Sequence, residues 1–304
     1  MMRGMRLIHY IEYLLVAGLW WLYRLMPVRW AYRVGWGVGV GAFALCRGSK
    51  RARRAVDNVL IAGVAKTRRE AYVIARNSLG HFVGHISEAL RISDLVTREN
   101  WQKHVKLTMS EEARALIFES KQPIILATGH LGAWEAGITA VTSARPLFAV
   151  ARLMDNPYIQ RFLERHNFRG GVTIIPKKHG FSASTLNRWR TQNGALAILF
   201  DQFSSNGAVV PFFGHQLPVY TSPARLHLRT KAPVVVGGFL RKGLLSFEMV
   251  VVGEPIYPKA NASLKSVTAE LISRLEQVIR MAPDQYLWLH RRFRGIPVPE
   301  VPER

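Results

Sequence analysis

The sequence predicts an α/β fold: a mostly parallel, mixed sheet flanked by helices, with a helical, membrane-associated N-terminal part. Short apolar runs at Leu147–Ala151, Val172–Pro176 and 195–200 alternate with helix-like segments at 157–167 and 182–192, the rhythm of parallel strands joined by crossover helices. Each run ends in polar residues, first Arg152, then Lys177 and Lys178, then Asp201 and Gln202. The beginning of the chain follows another pattern, an apolar stretch at 7–26 bordered by arginines.

Composition narrows the function classes. The 304 residues are enough for one large domain or two small ones. With 49% hydrophobic and 20% charged residues, the chain is neither disordered nor a multi-spanning transporter. A formal net charge of +22 calls for an anionic partner: nucleic acid, anionic lipid, a phosphorylated substrate or an acidic protein. The single cysteine, Cys46, excludes an internal disulfide and a cysteine-based zinc site.

Residues 7–26 are about as long as a bilayer-spanning helix, and Tyr10, Tyr13, Trp20, Trp21 and Tyr23 lie toward the ends, where interfacial rings sit. Spanning and in-plane placements both fit, and Glu12 favours the second. Residues 34–45 are too short to span. Gly35, Gly37, Gly39 and Gly41 form two overlapping small-x3-small pairs that would let this helix pack closely on the first. The basic cluster 47–54 would draw anionic headgroups and place the rest of the chain on the cytoplasmic side. We divide the chain into a membrane-associated segment, 1–50, and a catalytic unit, 51–304, with its core at about 102–294.

On the helix at 66–90, His81, His85 and Glu88 share one face. No ligand cluster follows and HExxH is absent, so they read as a packed polar stripe, with no metal site. Residues 209–213 lead through Gly214 to a helix at 221–231 that Ser222 would cap. A hairpin of 234–240 and 245–252 turns at Arg241-Lys242-Gly243, and an amphipathic helix follows at 264–281.

The chemistry centres on Thr128-Gly129-His130-Leu131-Gly132-Ala133-Trp134-Glu135, between a strand at 123–127 and a helix at 132–142. With His130 in the turn and Glu135 in the first helical turn, the carboxylate can hold the imidazole in one tautomer. Helix-start amides would help to hold an oxyanion. Ligands of open parallel sheets bind beyond the carboxyl ends of the strands. His130, Arg152, Lys177, Lys178 and Asp201 therefore describe one basic crevice with a histidine and two carboxylates.

At this point the chain resembles the lipid A biosynthesis acyltransferases, the late lauroyl/myristoyl transferases within the lysophospholipid acyltransferase superfamily. The resemblance rests on GHLGAWE at 129–135, ARLMDNPYIQRFL at 151–163, FDQ at 200–202, PFFG at 211–214, TSPARLHLRTKAP at 221–233 and MAPDQYLWLHRRFRG at 281–295. Lys231 departs from it, where many members have glycine, and so does Phe203-Ser204 after the DQ pair. The resemblance implies a glycerolipid-acyltransferase-like fold and transfer of a fatty acyl group from acyl carrier protein, or coenzyme A, to a hydroxyl of a membrane lipid, foremost a lipid A precursor. It needs no metal or organic cofactor. His130 would be the general base and Glu135 its orienting acid. Arg152, Lys177, Lys178, Gln202 and Arg229 would be substrate-side residues, and Asp201 either a second partner of His130 or an anchor for the acceptor. The expected place is the cytoplasmic face of the inner membrane, with the membrane and the carrier protein as the acidic partners. A glycerophospholipid or glycolipid acceptor is the alternative within this class.

Two other classes fit less well. A serine or cysteine hydrolase lacks the G-x-S-x-G elbow, and Cys46 lies far from His130 in sequence. A membrane-tethered nucleic-acid binder would explain the charge, but no binding motif is present, so nucleic acid is not an expected partner.

Overall fold

The computed structural model describes residues 2–166, 171–176 and 182–303. The strands are β1 (Val105–Thr108), β2 (Ile124–Thr128), β3 (Leu147–Ala151), β4 (Val172–Pro176), β5 (Ala195–Leu199), β6 (Phe203–Phe212), β7 (His215–Val219), β8 (Val234–Gly243) and β9 (Ser246–Val251). Seven form one sheet in the order β1-β9-β8-β2-β5-β3-β4, while β6 and β7 make a separate antiparallel ribbon. Every pairing in the large sheet is parallel except β8 with β9, as a mostly parallel, mixed sheet requires. In β2 (IILAT) and β5 (ALAIL) apolar residues follow one another without alternation, the composition of strands covered on both faces.

The helices are α1 (Met2–Leu25), α2 (Val28–Leu45), α3 (Lys50–Ile61), α4 (Arg68–Leu95), α5 (Glu111–Phe118), α6 (Trp134–Ala144), α7 (Pro157–His166), α8 (Ala183–Thr191), α9 (Ser222–Thr230) and α10 (Leu264–Met281). The amphipathic α10 buries Val267, Leu271, Ile272, Leu275, Val278 and Ile279, each worth about 1.5–3 kcal/mol of apolar transfer as an upper estimate. Along α3 the basic residues Lys50, Arg51 and Arg53 face solvent while Ala52, Ala55, Val56 and Val59 are buried, and Ser49 caps its start.

Several local expectations change. Ser222 does not cap α9: Thr221 is the N-cap residue, makes no side-chain cap bond, and leaves Ser222 as the first helical residue. Arg241, Lys242 and Gly243 lie within β8, and the chain reverses at Leu244 and Leu245, the latter with φ +52°. Lys231, at the position where the resemblance calls for glycine, takes the left-handed conformation with φ 62°. The helix at 157–167 is described to His166, and Asn167 lies outside the described residues.

The glycines of α2 pack against α4 rather than α1. A Cβ at Gly39 would sit 2.5 Å from the Leu79 carbonyl oxygen, and one at Gly35 would meet Ser87. Gly80 and Gly84 on α4 complete the seam against Trp36 and Tyr32. Gly37 and Gly41 meet nothing within 4 Å, so only alternate glycines are required for packing. Among the described residues no helix is long and apolar enough to cross a membrane. Leu7, Ile11, Leu14, Leu15, Leu22 and Leu25 of α1 are nevertheless exposed. Glu12, the charge that stood out in this apolar stretch, accepts a bond from Asn156 Nδ2 at 2.9 Å, and the same amide donates to the His9 carbonyl at 2.7 Å.

The seam makes a clear prediction. Gly39→Ala lowers the melting temperature measured by circular dichroism although alanine is the better helix former, because backbone blocks its methyl. Gly37→Ala, facing open space, leaves it unchanged or raises it by the helix gain of up to about 1 kcal/mol.

Candidate active site

After β2 the chain does not turn directly into a helix. Leu131 bridges Tyr286, Gly132 bridges Phe239, and the Ala133 N–H donates to the Phe239 carbonyl at 2.6 Å. Gly132 has φ +64°, and a Cβ there would stand 1.9 Å from the Phe239 oxygen, so this approach needs glycine. The extended passage delays α6 until Trp134 and separates His130 from Glu135.

His130 meets Asp201 instead. Because β2 and β5 are parallel neighbours, the residues after their carboxyl ends come together. His130 Nδ1 lies 2.7 Å from Asp201 Oδ1, and the His130 backbone N–H donates to Asp201 Oδ2 at 3.1 Å. Arg292 NH2 donates to the same Oδ2 at 3.0 Å. Asp201 is 1% exposed and Arg292 4%. Burial opposes ionisation of this carboxyl, but Arg292 and His130 more than offset it and hold it well below the usual carboxylate range. An ionised Asp201 accepts a hydrogen bond from Nδ1–H, which leaves the lone pair on Nε2. Gln202 Nε2 lies 3.2 Å from that atom and 2.9 Å from His290 Nε2, and one side-chain amide has the two protons needed to donate to both.

The other expected site residues are dispersed. Glu135, anticipated as the acid beside His130, lies with its carboxylate against Nε2 of His85 of α4, whose ring packs edge-on against Trp134. Arg152 is exposed and pairs with Asp155 at 2.7 Å on the loop after β3. Lys177 and Lys178 lie outside the described residues. Arg229 is exposed near the end of α9, which leads into β8, where Val234 pairs near the amino end of the sheet through Ile125. Arg229 is thus at the sheet edge opposite His130. The amides of the turn ahead of α6 are engaged from 130 to 133: those of His130 and Ala133 as above, Leu131 N–H with the Gly129 carbonyl, and Gly132 N–H with the Gln285 carbonyl.

A cavity of about 30 Å³, room for one water-sized group, is lined by His81, His85, His130, Trp134, Arg241 and Gln285 among others. The stripe on α4 supplies three separate contacts. His81 lies between Tyr32 and Asp284, His85 pairs with Glu135, and the buried Glu88 pairs with Arg241. Arg292, His290 and Gln285 had no assigned role in the sequence, and the signal for them was the dense polar and aromatic run at 281–295. Its backbone closes the site, with Leu287 N–H donating to the His130 carbonyl at 2.9 Å.

A mostly parallel sheet whose strand ends hold a histidine against a buried acid, beside a cavity, carries a candidate active site at the edge where such folds bind ligands. Residues 2–295 match the family described as bacterial lipid A biosynthesis acyltransferase. The chain belongs to that family and is an O-acyltransferase, with an acyl donor and a lipid acceptor as its substrates. It is also similar to the crystal structure of the 1-acyl-sn-glycerophosphate (LPA) acyltransferase PlsC from Thermotoga maritima, at 13% identity and TM-score 0.36, over 90% of this chain and 97% of that one. No curated protein matches the chain.

The lowered Asp201 value sets a pH dependence. Its stabilising contribution is complete above the unfolded carboxyl value of about 3.9 and declines as pH falls below it. Urea midpoints of Asp201→Asn should therefore be lower than wild type near neutrality and converge with it in acid. Arg292→Met, which strands a buried anion, should cost about 3–5 kcal/mol, partly recovered in the double variant with Asp201→Asn.

Proposed function

We propose that the protein moves a fatty acyl chain from acyl carrier protein, or acyl-coenzyme A, to a hydroxyl of a lipid A precursor at the cytoplasmic face of the inner membrane. The observation that carries the mechanism is the 2.7 Å contact of Asp201 with His130 Nδ1, which leaves Nε2 as the basic atom. The acceptor hydroxyl displaces Gln202 from Nε2 and gives up its proton there as its oxygen attacks the thioester carbonyl carbon. The C–S bond then breaks, and the leaving thiolate takes the proton from His130. Positioned proton transfer of this kind contributes about 10²–10⁴-fold.

Asp201 orients the ring and balances the imidazolium, the role first assigned to Glu135. With the amides at 130–133 engaged, the side-chain amide of Gln202 and the guanidinium of Arg241 are the donors for the developing oxyanion. The net charge of +22 suits an acidic carrier protein and an anionic membrane. The exposed leucines of α1 support an in-plane seat in that membrane.

Purified protein, labelled acyl carrier protein or acyl-coenzyme A, and a panel of lipid acceptors test the assignment. His130→Ala should lose nearly all transfer while remaining folded. Asp201→Asn should fall by about 10³–10⁴-fold in kcat through the wrong tautomer, and Glu135→Gln by much less. The reverse order for the two acids would return the orienting role to Glu135, and full activity in His130→Ala would end the mechanism.

A further inference from the structure

The small cavity at His130 shares His81, Arg241 and Gln285 with a larger groove of about 770 Å³. This groove runs between α2 and the β8–β9 turn. Tyr32, Arg33, Trp36 and Gly37 form one wall, with Arg241 and Lys242 on the other. Its walls carry three cations and one carboxylate, Asp284, which His81 engages; this charged lining is costly ground for a hydrocarbon chain, which would strip water from it without offering a partner. We propose that it is the seat of the acceptor's anionic, phosphate-bearing headgroup, an inference that rests on the acyl-transfer reading above.

The walls are built for such a group. Arg241 is fixed before any ligand arrives. Its guanidinium lies 3.8 Å from the Tyr32 ring centroid and 4.9 Å from that of Phe247, pairs with Glu88, and donates to the Gly243 carbonyl at 2.9 Å. Burial pushes its pKa down to about 10, partly countered by Tyr32, so it stays cationic at neutral pH. Arg33 has no carboxylate partner among the described residues and rests only on the Trp30 ring, at 5.7 Å. Lys242 is held at the rim by Glu248 at 2.9 Å. The Tyr32 ring backs Arg241, and Trp36 adds an indole to the same wall. Trp30, Val34 and Val38 form an exposed apolar stripe on α2, at a spacing of four and about 100° around the helix from Arg33 and Gly37. An amphiphile with its head in the groove therefore lays its tails along α2.

The test measures binding without turnover. Full-length protein in neutral detergent is titrated with dioctanoyl phosphatidic acid, dioctanoylglycerol and inorganic phosphate, none of which is acylated in the absence of donor. Phosphatidic acid should bind at least tenfold more tightly than either of the others. The double variant Arg33→Glu with Lys242→Glu should lose that preference, while Arg51→Glu with Arg54→Glu, on α3, should keep it. Gly37→Leu projects into the groove, where a Cβ meets nothing within 4 Å, and should weaken both lipids without lowering the melting temperature. With donor present, the groove variants should raise the acceptor KM at least tenfold and leave the donor KM within twofold. Equal binding of the two lipids, survival of the preference in the groove variant, or a rise in donor KM alone would overturn the proposal. Wild-type protein that binds phosphatidic acid selectively but acylates none of the hydroxyl-bearing lipid acceptors of the panel would instead sink the transfer mechanism.

Discussion

The site depends on one buried anion. Asp201 sits where water cannot solvate it, so its charge must be met by protein, and the two groups that meet it come from opposite parts of the chain: His130 after β2 and Arg292 near the end of the described residues. Removing either partner leaves a desolvated carboxylate short of a donor, which is why the sheet end, the turn after β2 and the C-terminal run hold one another in place. The same arrangement fixes which imidazole nitrogen is basic. The packing of this end of the sheet and the tautomer of His130 are thus set by one cluster.

Helix α4 extends this logic to the N-terminal helices. Its face carries His81, His85 and Glu88, and each reaches a different neighbour: Tyr32 of α2 with Asp284, Glu135 of α6, and Arg241 of β8. The adjoining face of the helix, about 100° around it, is drawn against α2 by glycines on both partners. The helix that buries the polar floor of the cavity therefore also sets how closely the apolar α2 approaches it.

Much of the architecture was legible because parallel strands covered on both faces must be uniformly apolar, and the residues that follow them must gather at one edge of the sheet. This reasoning put His130 and Asp201 in one crevice, where they meet, but it put Arg152 there too, which is exposed and paired with Asp155. It failed for Glu135, because proximity in sequence said nothing of the Leu131 and Gly132 bridges that stretch the intervening backbone. It failed for Arg229, which requires knowing where α9 delivers the chain. Arg292 was hidden for the opposite reason: it acts across ninety-one positions of sequence separation from Asp201, and no local pattern encodes such a pairing. The glycine series on α2 was read correctly as a packing device but assigned the wrong partner, since spacing identifies a close-packing face without identifying what covers it.

The bond between Asn156 and the first helix has a practical side. Asn156 stands at the entrance to α7 and also accepts from the Tyr158 and Ile159 amides, while its own amide is moored to His9 and Glu12. Trimming the leading apolar helix to make the enzyme easier to handle in water would cut that mooring and release the loop that carries Arg152. A shortened enzyme would then report the behaviour of a loosened segment between β3 and α7, and detergent with the intact chain is the sounder route to its kinetics.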